Sequence, residues 1–138
     1  MAGKGTVGLI MGFSMVVLFA AFTGIAPVQT PEPWKAPGAA DSIKSAVVFN
    51  AKTAEKGEEL YNLYCLSCHG ETGMGDGPAS ASLVIKPANF HLERVIKQTN
   101  GALYWKLTNG RGSMPAMKEV LKDEERWQLV SFIRKMQG

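Results

Sequence analysis

The sequence predicts an all-α fold, in which a small helical domain follows a single N-terminal transmembrane helix. Residues 7–26 are a run of 20 uncharged, mostly apolar residues, long enough for a helix to cross a hydrocarbon core of about 30 Å. Later segments repeat apolar residues at helical spacing, and no segment of convincing length alternates as a strand does. We therefore divide the chain into an anchor (1–26), a Pro-rich tether (27–50) and a helical domain (51–138).

The apolar run is predicted to stay in the membrane as an anchor. A signal-peptide core is usually shorter, and cleavage after Ala26 would leave Pro27 at the cut, which suits a signal peptidase poorly. A cleaved signal peptide is the alternative. Lys4 precedes the run, so the positive-inside rule directs the rest of the chain outward. Gly8 and Gly12 lie one turn apart, which would let another transmembrane helix approach closely.

The length and net charge of the whole chain exclude two classes of protein. With 138 residues the chain is too short for a large multidomain enzyme, and its net charge of +3 is too small for a basic nucleic-acid-binding surface.

In the tether, prolines at 27, 31, 33 and 37 favour extended polyproline geometry over a helix. This segment is therefore predicted to be a stiff spacer.

The first predicted helix of the domain covers Ala51–Tyr64, where Leu60, Tyr61 and Tyr64 lie on one side. Gly57 inside this helix costs about 1 kcal/mol relative to alanine, which indicates that another helix approaches closely there. The glycine-rich and proline-rich stretch 70–89 is predicted to be a loop.

Two further helices are predicted. One covers Gly101–Asn109, after Thr99 or Asn100 as N-cap and before Gly110. The last begins near Lys122 or Asp123, with acidic residues in its first turn and basic residues in its last, as the helix dipole favours.

A Cys-x-x-Cys-His motif follows the first helix, and it contains both cysteines of the chain, Cys65 and Cys68, together with His69. This spacing is the attachment signature of c-type haem, in which the thiols form thioethers and the histidine is an axial iron ligand. A thioredoxin-like pair would need βαβ surroundings, which the sequence does not predict. A zinc site would need a second pair of ligands, but the only other histidine or cysteine in the sequence is His91. We predict one covalently bound haem c.

The sixth iron ligand must come from farther along the chain, where Met114, Met117, Met74 and His91 are the candidates. Met114 is favoured because it lies in an Asn-Gly-Arg-Gly-Ser-Met-Pro loop between two predicted helices, where Pro115 restricts it to extended geometry. The predicted metal ligands are therefore His69 and Met114.

Five motifs together resemble those of class I, single-haem c-type cytochromes, over Ala54–Met136. They are Glu-Lys-Gly-x-x-Leu-Tyr-x-x-x-Cys-x-x-Cys-His-Gly, Gly-Asp-Gly-Pro, Pro-x-Asn-Phe, Asn-Gly-x-Gly-x-Met-Pro and Asp-Glu-Glu-Arg-Trp-x-Leu-Val-x-Phe-Ile-Arg. More widely, the chain is similar to the single-haem subunits of bacterial respiratory complexes. The resemblance implies that Gly57 and Tyr61 cross Leu129 and Phe132.

The same resemblance implies further haem-binding residues. The Pro78 carbonyl would accept the Nδ1 proton of His69, which sets the orientation of the ring. Arg111 and Trp105 would bind the haem propionates. The walls of the haem pocket would be apolar and aromatic residues: Leu83, Phe90, Tyr104, Trp105 and Leu107.

An iron held by histidine and methionine has no open position for a substrate, so the sequence predicts an electron carrier and not an enzyme. The resemblance implies a relay from a quinol-oxidising complex to a terminal oxidase or similar acceptor, as a subunit of a respiratory complex. We expect it in the bacterial inner membrane, with the haem domain on the periplasmic side. The alternative is the haem subunit of a periplasmic dehydrogenase or a peroxidase-type enzyme. A haem-based sensor would need a signalling domain.

Overall fold

The computed structural model describes residues 1–3 and 33–138. The predicted anchor, with Gly8 and Gly12, lies outside the described residues. No helix within the described ranges is long and apolar enough to cross a membrane.

Trp34–Gly138 forms one compact unit, distinct from Met1–Pro33. Its α-helices are α1 (Ala51–Tyr64), α2 (Leu66–His69), α3 (Glu93–Ile96), α4 (Asn100–Asn109) and α5 (Asp123–Gln137). Short 3₁₀ helices cover Gly38–Ser42, Pro78–Ser82 and Met117–Glu119. The described part of the chain contains no strand, so the all-α prediction is confirmed there. The short helices α2 and α3 were not predicted.

The ends of α1 and α4 follow from local capping. The side chain of Asn50 accepts a hydrogen bond from the Thr53 amide at 2.9 Å, and α1 has the predicted bounds. The hydroxyl of Thr99 accepts from the Ala102 amide at 3.0 Å, so α4 begins at Asn100, one residue before the predicted start.

The last helix begins where its acidic first turn predicts. The amide of Lys122 donates to the Glu125 carboxylate at 2.7 Å, and α5 starts at Asp123. Arg134 and Lys135 lie in its last turn, which stabilises the negative end of the helix dipole.

The centre of the core is the crossing of α1 and α5. A Cβ atom at Gly57 would lie only 2.0 Å from the Gln128 carbonyl oxygen and 2.8 Å from the Phe132 Cβ, so the predicted close approach is confirmed. The rings of Tyr61 and Phe132 have centroids 5.2 Å apart. The side chains of Trp127, Tyr61, Leu129 and Val130 are fully buried. The absence of a side chain at position 57 is therefore what lets the two helices touch.

Residues 33–50 of the predicted tether, 27–50, are described by the structure, and they are not the extended spacer that was predicted. From Trp34 onward the chain belongs to the same compact unit as the helices. Ala40, in the 3₁₀ helix Gly38–Ser42, is buried, and a Cβ at Gly101 would lie 2.1 Å from the Ala40 carbonyl oxygen. We call residues 34–43 the strap, because they pack across α4 where an extended spacer was expected. The glycine at the start of α4 makes room for the strap backbone.

Candidate haem site

The three residues of the attachment motif meet at the junction of α1 and α2. The amides of Cys68 and His69 both donate to the Cys65 carbonyl, at 3.1 and 2.8 Å, so one turn of chain holds the motif together. The Tyr61 hydroxyl donates to the Gly70 carbonyl at 2.5 Å, which ties the end of this turn to α1. Both cysteines are half-buried. The motif is therefore presented from one rigid corner of the fold.

The imidazole of His69 is oriented by a backbone carbonyl. Its Nδ1 lies 3.2 Å from the Ala88 carbonyl oxygen, and the Phe90 ring stacks on it at 4.7 Å between centroids. A carbonyl only accepts, so Nδ1 carries the proton and Nε2 keeps the lone pair that a metal needs. The histidine is therefore prepared as a ligand through Nε2.

The resemblance implied the Pro78 carbonyl as the partner of His69, whereas in this structure the Ala88 carbonyl lies next to Nδ1. The Gly77 amide bonds to the Cys68 carbonyl at 3.2 Å, so the turn that begins at Pro78 lies against the backbone of α2. The carbonyl that reaches the ring comes from the segment around Ala88. Gly75 permits this, because a Cβ there would lie 2.5 Å from the Pro87 carbonyl oxygen.

Burial sets the protonation of the site. It lowers the pKa of His69, although the bond to the Ala88 carbonyl opposes the shift, so the neutral, ligating imidazole is favoured. Burial, with a smaller contribution from Cys68, raises the pKa of the Cys65 thiol to about 12. A reactive thiolate needs the opposite shift, which argues against a thioredoxin-like pair. In the described ranges no three His, Cys, Asp or Glu side chains are grouped as metal ligands, as zinc would require.

The Met114 loop (residues 110–115) is a tight turn after α4. Arg111 and Met114 exchange both backbone hydrogen bonds, at 2.9 and 3.0 Å. Gly110 has a φ of 62°, and a Cβ there would lie 2.4 Å from the Met114 carbonyl oxygen, so glycine is required at this position. Met114 is half-buried and packs on the hydrophobic core.

The other candidates for the sixth ligand have different surroundings. Met117 is 4% exposed within the core, whereas Met74 is 53% exposed on a loop. The Nε2 atom of His91 lies 2.8 Å from the Thr72 carbonyl oxygen, and the residue is exposed. Among the four, Met114 alone combines a position in a loop with partial burial on the core. Its role as ligand stays a prediction.

Comparison with known proteins identifies the family. Residues 52–133 match the family described as "Cytochrome C oxidase, cbb3-type, subunit III". This chain belongs to that family. The cytochrome is 31% identical to cytochrome c-551 of Bacillus subtilis (strain 168) over 121 residues, which are 85% of this chain and 83% of that protein.

A solved structure is also similar to this cytochrome. A chain of the Kuenenia stuttgartiensis reducing HAO-like protein complex superposes with a TM-score of 0.61 and 27% identity. The match covers 67% of this cytochrome but only 47% of that chain. The structural likeness is therefore to part of a longer protein.

The chain is thus a class I, monohaem c-type cytochrome with covalently bound haem c. The donor set fits that group: two thiols three positions apart on one turn, and a neutral imidazole whose Nε2 is free to ligate. The one Cys-x-x-Cys-His motif provides for one haem.

The residues predicted to form the haem pocket of the cytochrome differ in their surroundings. Phe90 contacts His69, as expected of a pocket wall, and Leu83 is half-buried at the end of a 3₁₀ helix. The ring of Tyr104 stacks on that of Trp127 in α5, with the ring centroids 4.1 Å apart. Its role as a haem wall stays a prediction.

Trp105 and Arg111, the implied propionate partners, both lie beside Trp34 of the strap. The Trp105 and Trp34 rings meet edge to face at 6.4 Å, and the Arg111 guanidinium carbon is 5.8 Å from the Trp34 ring centre. Sequence reasoning did not single out Lys106 or Ala88, and it did not predict that Trp34 contacts α4. The partners Trp34 and Lys106 are 72 positions apart, so no local pattern joins them. The Pro-x-Asn-Phe motif around Ala88 was the available signal for its approach to the haem site.

Proposed function

We propose that this cytochrome is a membrane-tethered one-electron relay, which takes electrons from a quinol-oxidising complex and passes them to a terminal oxidase or similar acceptor. The observation that carries the proposal is His69, whose Nδ1 is held by the Ala88 carbonyl so that Nε2 is available to an iron. Met114, half-buried on the core in a turn closed by backbone hydrogen bonds to Arg111, is the candidate for the second ligand. Haem c supplies the one-electron change of its iron when bound. If His69 and Met114 both held the iron, no position on it would be left for a substrate.

The residues of the site favour a fast relay. His69 is held by a backbone carbonyl and Phe90, which restricts reorientation of the ring when the iron changes its oxidation state. The thioether of Met114 and an apolar surround favour the reduced, less charged iron, which predicts a comparatively high reduction potential.

Two kinds of support point to a respiratory assembly. The family is named for a subunit of a cbb3-type oxidase, which supports an oxidase as the acceptor. The apolar run at 7–26 supports an anchor in the bacterial inner membrane, with the haem domain on the periplasmic side.

A second candidate is an electron-transfer subunit of an enzyme complex, such as a periplasmic dehydrogenase. The likeness to a chain of the reducing HAO-like protein complex favours it. In that case the chain would still relay electrons, but to a catalytic centre on another polypeptide. A peroxidase-type enzyme would need an open iron position, and the Met114 experiment tests this.

The optical spectrum of the oxidised holoprotein tests the proposal, for wild type, Met114→Ala and Met117→Leu. We expect the weak far-red band of sulfur-to-iron charge transfer in the wild type. It should vanish in Met114→Ala and persist in Met117→Leu, which keeps the volume of a buried core residue. If the wild type lacks the band and binds carbon monoxide when reduced, the iron is open and the relay proposal fails.

A further inference from the structure

The strap lies outside the part of the chain that matches the family, 52–133, yet it contacts the edge of the haem domain. The Lys106 side chain donates to the Trp34 carbonyl at 2.5 Å, and the Thr99 hydroxyl donates to the Asp41 carboxylate at 2.7 Å. Both ends of the strap are therefore fastened to α4 or its cap.

The Trp34 ring is surrounded by two cations and a second indole. The Lys106 ammonium is 5.4 Å and the Arg111 guanidinium 5.8 Å from its centre, within the range of cation–π attraction. The edge contact with Trp105 positions the indole from a third direction. Trp34 therefore contacts both α4 and the loop that follows it.

Arg111 joins Trp34 to the Met114 loop. Because Arg111 and Met114 exchange both backbone hydrogen bonds, a restraint on Arg111 is a restraint on the backbone of Met114. The loop needs such restraint: Gly110 and Gly112 both have positive φ, and Gly112 and Ser113 are exposed. A short, exposed turn with two glycines has little stability of its own.

We propose that Trp34 is a positioning residue that keeps the Met114 loop closed by holding Arg111. The inference rests on the proposed function, in which Met114 is the sixth ligand. Removal of the indole shifts the loop toward its open state, in which an external ligand competes for the iron. A contact of cation–π strength changes that equilibrium by about two- to fivefold.

Imidazole binding to the oxidised, full-length holoprotein measures this equilibrium, with loss of the far-red band as readout. We expect Trp34→Ala to bind imidazole about two- to fivefold more tightly than wild type. Trp34→Phe keeps an aromatic face for the cations and should lie close to wild type. Asp41→Ala, which removes the contact between the other end of the strap and Thr99, should lower the thermal midpoint without changing imidazole affinity.

A second variant shows whether the effect passes through Arg111. In an Arg111→Gln background, the Trp34→Ala change should leave imidazole affinity nearly unchanged, because the connecting cation is already gone. An undiminished effect in that background would overturn the proposed route.

The outcomes separate this inference from the function on which it rests. If the wild type shows no far-red band, Met114 ligation fails, and both proposals fall. If the band is present but Trp34→Ala and wild type bind imidazole equally, or Asp41→Ala matches Trp34→Ala, only the role of Trp34 is refuted. If Trp34→Ala does not fold, Arg111→Gln decides the matter, because it removes the same cation–π contact: tighter imidazole binding supports the proposal, and wild-type affinity refutes it.

Discussion

Lys106 is buried on α4, and its ammonium group donates hydrogen bonds to neutral oxygens. It donates to the Trp34 carbonyl and to the Gln98 side-chain oxygen, each at 2.5 Å. Burial lowers the pKa of Lys106 from 10.5, and the nearby cations Arg111 and Arg94 lower it further. The charge is therefore accommodated by hydrogen bonds and the face of Trp34, at a net electrostatic cost.

This cost predicts how stability depends on pH. Below its folded pKa, Lys106 is charged in both states and its burial penalty is complete. As the pH rises through that pKa toward 10.5, the folded state loses its proton first, so the penalty declines and stability increases. We expect urea unfolding to show that the unfolding free energy of wild type rises relative to that of Lys106→Met between the folded pKa and 10.5. A difference independent of pH would contradict the shift.

At the scale of elements, the α1–α5 crossing depends on the bare backbone of Gly57. The Gln128 carbonyl occupies the space that a Cβ would need, and it belongs to the helix that also contributes the buried Trp127, Leu129 and Val130. A backbone atom cannot move aside without displacing α5. The same crossing supports the turn that presents the haem-attachment motif, because Tyr61 reaches from it to Gly70.

Gly57→Ala should therefore destabilise the holoprotein. Alanine gains about 1 kcal/mol in helix propensity, but the clash with α5 outweighs it, and we expect a net loss of about 1–3 kcal/mol in unfolding free energy. Urea unfolding measures the change. Gly38→Ala is the matched control, because nothing lies within 4 Å of a Cβ at that position and its stability should hardly change. Equal effects at the two sites would refute the packing argument.

At the scale of the whole molecule, the haem domain is larger than its family motifs. The compact unit begins at Trp34 and includes the strap, although the family match begins at residue 52. Only residues 27–33 of the predicted tether separate this unit from the predicted anchor. A truncation that removes the strap would remove part of the folded domain.

We predict that the full-length protein sediments with membranes and begins at Met1, because the run at 7–26 is long enough to span a bilayer. A chain that begins at Trp34, exported behind a cleavable signal peptide, should appear in the soluble fraction with haem attached. Membrane fractionation, haem staining and N-terminal sequencing measure these outcomes. An N-terminus after Ala26 in the mature protein would show that the segment is a cleaved signal peptide.

The sequence by itself determined the features that depend on local rules. The bounds of α1 follow from an Asn50 cap and apolar spacing, and the attachment motif follows from the chemistry of two thiols and one imidazole. The interior glycine at position 57 predicted a close helix contact, because no local reason favours glycine there. Each of these signals lies within one or two turns of chain.

Only the tertiary structure decided which distant segments meet. The carbonyl that reaches the His69 ring is that of Ala88, whereas the turn that begins at Pro78 lies against the backbone of α2. The strap docks on α4 through Trp34 and Lys106, residues whose separation hides their contact from any periodic pattern. Long-range pairs depend on the final shape of the surface that they share, and that shape exists only after the helices have packed.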